Sequence, residues 1–348
     1  VIVRFGYVAM SVNIDNASPS KTMTATYFSR LDDREAALRK LERIASENLH
    51  NTLRLLRYNR AHDIHVFRFS SRLVPLVTHE VTQGWEPFSI LTAGFREIGD
   101  YARLHGMRTS FHPDHFTILT TPRPEVLRIS LADLAHHAQM LAAMGLDERA
   151  KCNIHIGGTY GDKSSALERF RSRFPELPPE VSRRLTLEND DKTYTALETL
   201  ELAEELEVPM VLDLHHHQVN PGEGESAIEL WPRIRATWER DDQLRAMRPP
   251  LLGALSEAES AASPVDAPLP PKIHISSPRS ASNPRAHADF VEPGPLLSFL
   301  RRIAADTPRL DVMIEAKSKD EALHELVRHY AGETDVHLMD GATVEIKG

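Results

Sequence analysis

The chain has 348 residues, 41% of them hydrophobic and 26% charged, which excludes a disordered chain and a collagen-like repeat and allows one large or two ordinary domains. Its single cysteine, Cys152, excludes both an intramolecular disulfide and a Cys-rich zinc site, and points to a reduced compartment. With 41 basic against 50 acidic side chains the formal charge is −9, which argues against a non-specific nucleic-acid binder, although bound divalent cations would escape that count.

In chain order, short β-branched or aromatic runs alternate with longer stretches of helical period. Strands are predicted at Ile2–Val8, Ile64–Phe69, Arg108–His112, Asn153–Ile156, Leu185–Glu188, Met210–Leu214, Lys272–Ser276 and Asp311–Glu315. The first helix is marked by Leu38, Leu41, Ala45, Leu49, Leu53 and Leu56. Others follow at about 89–105, 125–144, 164–173, 195–207, 226–238, 294–305 and 319–330, with Thr195 and Glu198 spaced for a capping box. Eight strand–helix pairs, several with strands apolar on both faces, predict a single α/β domain: a (β/α)8 TIM barrel. A doubly wound open sheet is the alternative. It ordinarily has a Gly-rich phosphate turn after its first strand, and Gly6-Tyr7-Val8-Ala9 is not one.

Two segments fall outside this rhythm. Residues 239–271 are Pro-rich, with the small, acidic, aperiodic run Glu257–Pro268, and are expected to form a surface insertion before the seventh strand. Residues 335–348 form an extension in which apolar runs flank Asp340-Gly341, predicting a short hairpin over Val336–Ile346. No apolar run approaches the ~18–20 residues of a membrane span. The amino terminus has no charged-then-apolar leader and enters a strand at once; lacking an initiating Met, the numbering is expected to begin after the natural start.

In a barrel the loops at the C-terminal strand ends converge over one mouth, so residue types there carry the functional argument. The third strand ends in His112, the fourth carries His155 and the fifth ends in Glu188. The sixth runs into Asp213 and His215-His216-His217, the seventh carries Lys272 and His274, and the eighth ends in Glu315. A lone His at a strand end is ordinarily a hydrogen-bonded structural residue, and a lone buried carboxylate is ordinarily capped or paired with Arg. Six consecutive ends of this kind are different. Ionised carboxylates crowded into one apolar-walled mouth would repel one another and lose hydration at several kcal/mol each. Divalent ions would neutralise them and accept the imidazole lone pairs. Mixed His and carboxylate ligation without thiolate suits Zn²⁺ or Mn²⁺ better than Ca²⁺. The donors exceed what one ion needs, so two or three ions are expected, which points to hydrolysis at phosphorus. Lys272 and His274, at i and i+2, both face inward. Lys272 could contact a scissile phosphate or carry a carboxylated nitrogen.

These motifs resemble the UV-damage endonucleases, DNA repair enzymes of the barrel superfamily that also contains endonuclease IV and sugar isomerases. The resemblance rests on Arg4-Phe5-Gly6-Tyr7, Leu56-Arg57-Tyr58-Asn59, Phe67-Arg68-Phe69-Ser70, Thr78-His79 and His112-Pro113. It continues in His155-Ile156-Gly157-Gly158-Thr159-Tyr160-Gly161, Leu187-Glu188-Asn189-Asp190 and Asp213 to Pro221. The last segments are Pro271-Lys272-Ile273-His274, Ala286-His287-Ala288 and Ile314-Glu315-Ala316-Lys317. It implies metal ligands at His79, His112, His155, Glu188, Asp213, His216, His274, His287 and Glu315, most readily for three Mn²⁺ ions, with Zn²⁺ or another divalent metal as the alternative. It implies catalytic roles for Glu188, Glu315 and Lys272, the last in a form that can be carboxylated.

The family nicks damaged double-stranded DNA immediately 5′ to a UV photoproduct, leaving a 3′-hydroxyl and a 5′-phosphate, and some members cut at abasic sites. Tyr7 matches a residue near the flipped lesion, and the loop after His112 matches a segment wedged into the duplex. Some members carry Gln-Tyr there, whereas this chain has His115-Phe116. A basic strip over residues 30–72, ten Arg or Lys against six Asp or Glu, offers Arg57, Arg60, Arg68 and Arg72 to the phosphate backbone. The reading implies a cytoplasmic, nucleoid-associated monomer with no membrane and no obligate protein partner. An abasic-site endonuclease, a metal-dependent sugar isomerase and a non-cutting damage sensor are the competing functions.

Overall fold

The computed structural model describes residues 1–251 and 268–347. Seven barrel strands come first: β1 (Ile2–Val8), β2 (Val66–Arg68), β3 (Arg108–Phe111), β4 (Lys151–His155), β5 (Leu185–Glu188), β6 (Met210–Asp213) and β7 (Lys272–Ile275). A small antiparallel hairpin follows, β8 (Pro278–Ser280) with β9 (Asn283–His287), and the eighth barrel strand is β10 (Arg309–Ile314). β10 lies parallel to both β7 and β1, from Ile2 opposite Arg309 to Tyr7 opposite Ile314, and so closes the barrel. The predicted C-terminal hairpin is β11 (Val336–Leu338) and β12 (Thr343–Ile346), and β12 adds antiparallel to the start of β1.

Alternation along the strands sorts side chains between two environments. On β1, Phe5 and Tyr7 point to the surrounding helices: Phe5 packs on Tyr330, and Tyr7 donates its hydroxyl to Asn59 Oδ1 at 2.7 Å. Arg4 and Gly6 point inward. Gly6 is required there, because a Cβ would lie 2.2 Å from the Val66 carbonyl oxygen of β2. Inside the barrel, Val8, Val66 and Met313 form a small apolar cluster. Nearer the strand starts, buried Asp311 pairs bidentately with Arg4 at 2.8 Å and with Arg108 at 2.7 Å.

The helices form the outer ring. The first, Arg34–Ala61, begins four residues before the first apolar marker because the Asp33 side chain caps it, accepting from Ala36 N. The capping box of Thr195 and Glu198 is present at the start of Ala196–Glu205. The helix predicted over 226–238 instead runs over Ala227–Met247. Buried Trp231, Ile234, Trp238, Asp241 and Leu244 keep one face buried through the polar sequence, and Asp241, the charged member of that face, pairs with buried Lys151 at 2.7 Å. The first residues assigned to the insertion therefore belong to this helix. The run Glu257–Pro268, Pro268 aside, lies outside the described residues. Among the described residues no helix is long and apolar enough to cross a membrane.

Candidate metal centre

Strand direction brings the C-terminal ends of β3 to β7 and β10 to one mouth, and the side chains they deliver meet around Glu188. Among the described residues, three groups of side chains have ligand-type atoms within 4.8 Å of one another: His112, His155 and Glu188; Glu188, Asp213 and His216; Glu188, His274 and Glu315. Glu188 belongs to all three. Its Oε2 accepts from His112 Nε2 at 3.0 Å and its Oε1 from His274 Nδ1 at 3.2 Å, while His216 Nδ1 lies 3.6 Å from Oε1. His274 Nδ1 also lies 3.1 Å from Glu315 Oε1. The rings of His112 and His155 are 5.1 Å apart, and those of His155 and His216 are 5.5 Å apart.

Local sequence explains each placement. Asp213 ends β6 and caps the short helix Leu214–Val219, its Oδ1 accepting from His216 N at 2.8 Å, which turns His216 back toward the mouth. Asn189 fixes the same junction: its side-chain Nδ2 donates to the Asp213 carbonyl at 3.0 Å, its Oδ1 accepts from Asp213 N at 2.9 Å, and its backbone carbonyl accepts from His216 Nδ1 at 2.9 Å. Asn153, two residues before His155 and so also facing inward, donates to Glu188 Oε2 and is oriented by the Thr186 hydroxyl at 2.7 Å. Neither amide is of ligand type, so sequence reasoning passed over both. For Asn153 the inward register two residues before His155 was the available signal; Asn189, directly after inward-facing Glu188, carried none.

The electrostatics are those of buried carboxylates balanced by imidazolium. Burial alone would raise the Glu188 carboxyl, but His274, His155 and His112 hold it well below the usual carboxylate range. Glu315 likewise resists the effect of burial, held down by Arg68, with which it pairs directly, and by His274. Burial would lower His274 and His216, yet Glu188 and Glu315 push His274, and Asp213, Glu188 and Glu315 push His216, up to about 9. His155 is lowered, burial outweighing Glu188. Asp213 Oδ2 is buried with no hydrogen-bond partner among the described residues. A buried carboxylate oxygen without a donor is costly, and a cation would satisfy it, so the donor set fits divalent metal.

Other predicted residues fall at varying distances from this cluster. Lys272 faces inward as expected, buried, and reaches across the barrel to Ser110 Oγ at 3.2 Å. Burial, reinforced by Arg108, drives its amine well below the ordinary lysine value. His287 stands on β9 beside the mouth, its Nδ1 donating to the Glu315 carbonyl at 2.8 Å and lying 4.0 Å from the carboxylate. His79 is in none of the three groups. It is exposed and caps the turn Glu80–Thr82, its Nδ1 accepting from Val81 N at 3.2 Å.

Tyr7 departs from expectation: it is 0% exposed, on the outer side of β1, edge-on to Phe67, and presents no surface on which a lesion could stack. His115 and Phe116 stand exposed on the loop after β3, their rings 4.9 Å apart. The basic strip is split. Arg68 ends β2 and Arg72 follows it at the mouth, whereas Arg57 and Arg60 lie at the end of the helix that delivers the chain to the start of β2, at the opposite face.

Fold and site together define a TIM-barrel protein with a candidate divalent-metal centre at its C-terminal mouth. A family model described as UV-endonuclease UvdE matches residues 3–347. The UV DNA damage endonuclease of Halalkalibacterium halodurans is 42% identical over 344 residues, 99% of this chain and 98% of that one. That of Bacillus velezensis is 39% identical over 347 residues, covering 100% of both. The crystal structure of SacUVDE superposes with a TM-score of 0.76 at 26% identity, over 94% of this chain and 98% of the other. Endonuclease IV from Thermus thermophilus, at TM-score 0.50 and 14% identity over 94% and 97% of the two chains, shares the fold. The chain belongs to the UV-endonuclease UvdE family.

Proposed function

We propose that this protein is a metal-dependent endonuclease that hydrolyses the phosphodiester bond immediately 5′ to UV photoproducts in double-stranded DNA, leaving a 3′-hydroxyl and a 5′-phosphate. The observation that carries this reading is the joining of three His/carboxylate groups through Glu188 at one barrel mouth, in a chain aligned over almost its full length with UV DNA damage endonucleases.

His112, His155, Glu188, Asp213, His216, His274 and Glu315 would hold the metal, with His287 beside them and His79 recruited by rotating away from Val81. Three Mn²⁺ ions are the favoured complement, with Zn²⁺ as the alternative. Bound there, such ions supply Lewis acidity for in-line displacement at phosphorus. The chain supplies the rest. Glu188 ties the three groups together, with Asn153 and His112 fixing one of its oxygens. Arg68 sets Glu315. Buried Lys272 lies one inward position below His274, where it would meet the scissile phosphate or, carboxylated, add a further anion.

Cutting beside a dimer requires the damaged dinucleotide to leave the stack, which costs least where pairing is already distorted. Exposed Phe116, with His115 against it, would fill the resulting gap. The protein would act as a monomer on cytoplasmic, nucleoid DNA. The test is nicking of an end-labelled duplex carrying one defined pyrimidine dimer, with and without Mn²⁺. Cutting just 5′ of the dimer only with metal is the expected result. Cutting of an abasic duplex alone would replace the lesion assignment, and cutting of neither would leave the isomerase reading.

A further inference from the structure

The hairpin of β8 and β9 presents His287, Arg279 and Arg285 at the mouth, yet residues 279–285 are all exposed. An isolated two-stranded hairpin is marginal in water, so something must hold it down. At its base Ala288 N donates to the Ser277 carbonyl at 2.8 Å, and near its turn Arg285 Nε reaches the Asp191 carbonyl at 3.0 Å from an exposed side chain. The buried tie is His215. Its Nε2 lies 2.7 Å from the Pro284 carbonyl oxygen, which can only accept, so Nε2 carries the proton. Its Nδ1 lies 2.5 Å from the Ser276 hydroxyl, at the exit of β7. The ring also meets His287 edge-on, with centroids 5.4 Å apart. Both ring nitrogens are thus engaged, which leaves His215 no lone pair for a metal while its neighbour His216 turns into the cluster.

We propose that His215 is a positioning residue: with Ser276 it pins the β8–β9 hairpin to the barrel rim and so holds His287 beside Glu315. In its metal consequences this rests on the endonuclease reading above; in its effect on the hairpin it does not.

The test uses the full chain and two readouts. In chelator, trypsin cleavage after Arg279 and Arg285 reports opening of the hairpin, since cleavage of a transiently opened segment follows the open population. After dialysis against Mn²⁺, metal content and affinity report the site. His215→Ala is expected to speed cleavage at those two arginines about five- to tenfold, and to weaken one bound ion about 10- to 100-fold. His215→Gln, which restores an N–H near Nε2, should recover both. His287→Ala, which removes the bond to the Glu315 carbonyl but leaves the His215 tie, should weaken the ion while speeding cleavage less than His215→Ala does. If His215→Ala does not fold, Ser276→Ala carries the test, with a smaller acceleration expected.

Unchanged cleavage in His215→Ala, or in Ser276→Ala where that variant carries the test, overturns the clamp. So does loss of metal that glutamine fails to restore while cleavage stays at the wild-type rate, which would make His215 a ligand. Should the wild-type chain take up no metal, the metal-centre reading falls, and the cleavage rates alone decide for or against the clamp.

Discussion

Glu188 on β5 and His274 on β7 meet at 3.2 Å across the mouth although β6 stands between their strands, and no other carboxylate belongs to all three ligand groups. An amide at this position would keep the shape but lose the negative charge that the groups share. Glu188→Gln is expected to lower nicking by more than about 100-fold, since even outer-shell changes at metal sites cost 10- to 100-fold. Circular dichroism should remain that of the wild type. Full activity with wild-type metal content would remove Glu188 from the centre.

Metal removal should act on stability as well as on cutting. A ligand that binds only the folded chain stabilises it by about 2.7 kcal/mol at a free concentration 100 times its Kd. After chelation and dialysis, adding back Mn²⁺ should therefore raise the thermal midpoint and restore nicking over the same concentration range. A midpoint indifferent to Mn²⁺ and Zn²⁺ alike would count against a resident metal cluster.

Beneath the cluster, the Arg4–Asp311–Arg108 arrangement gives a pH prediction. Burial raises the Asp311 carboxyl, but Arg4 and Arg108 outweigh it and hold the group below its ordinary value of 3.8. A carboxyl with a lower pKa folded than unfolded contributes stability that is complete above the unfolded value and lost as pH falls through the folded one. Removing one partner of such a buried ionic group is expected to cost about 3–5 kcal/mol, so Asp311→Asn should be destabilised by that order at neutral pH. In urea titrations the gap between variant and wild type should narrow below about pH 4. A gap constant down to pH 2.5 would show that Asp311 is not held as an anion.

Legibility in the sequence followed how tightly each position is fixed by strand geometry. His112, His155, Glu188, Asp213, His274 and Glu315 lie at or near the ends of parallel strands, where alternation and barrel closure leave one place for them to point, and the structure brings them together. His79 and His287 lie off the barrel strands, and resemblance alone singled them out. The structure sets His287 against Glu315 but leaves His79 capping its own turn. Tyr7 was open to a better reading: Arg4 and Gly6 face inward, so by alternation Tyr7 must face the helices. The β8–β9 hairpin was invisible because its Pro, Ser and Arg residues carry no strand pattern. The long helix through Met247 was cut short because its buried Asp241 breaks the apolar rhythm that Lys151 repairs.

Phe116 is 57% exposed beside His115, on a loop that packs against the next one: a Cβ on Gly157 would meet Ile118 at 2.6 Å. A large apolar ring left in water at the rim of a nuclease mouth suits insertion into a base stack. Stacking of an aromatic side chain on a base contributes about 1–3 kcal/mol, so Phe116→Ala should lose that much preference for dimer-containing over intact duplex. Competition binding with the two duplexes measures it. An unchanged preference would return Phe116 to an ordinary surface residue.

The split of the basic strip separates an end at the barrel mouth from a remote one. Arg72 is exposed on the loop after β2, on the side of the mouth, whereas Arg60 lies near the end of the helix Arg34–Ala61, at the opposite face, with its Nε on His105 Nδ1 at 3.2 Å. A phosphate contact contributes about one unit to the slope of log affinity against log salt. Arg72→Ala should therefore lower that slope by about 1 and weaken binding across all sequences. Arg60→Ala should leave slope and affinity unchanged. Anisotropy titrations of a labelled duplex over a range of KCl concentrations compare the two. Equal effects from both would mean that the duplex does not lie across the C-terminal mouth, and a larger effect from Arg60 would put it on the other face of the barrel.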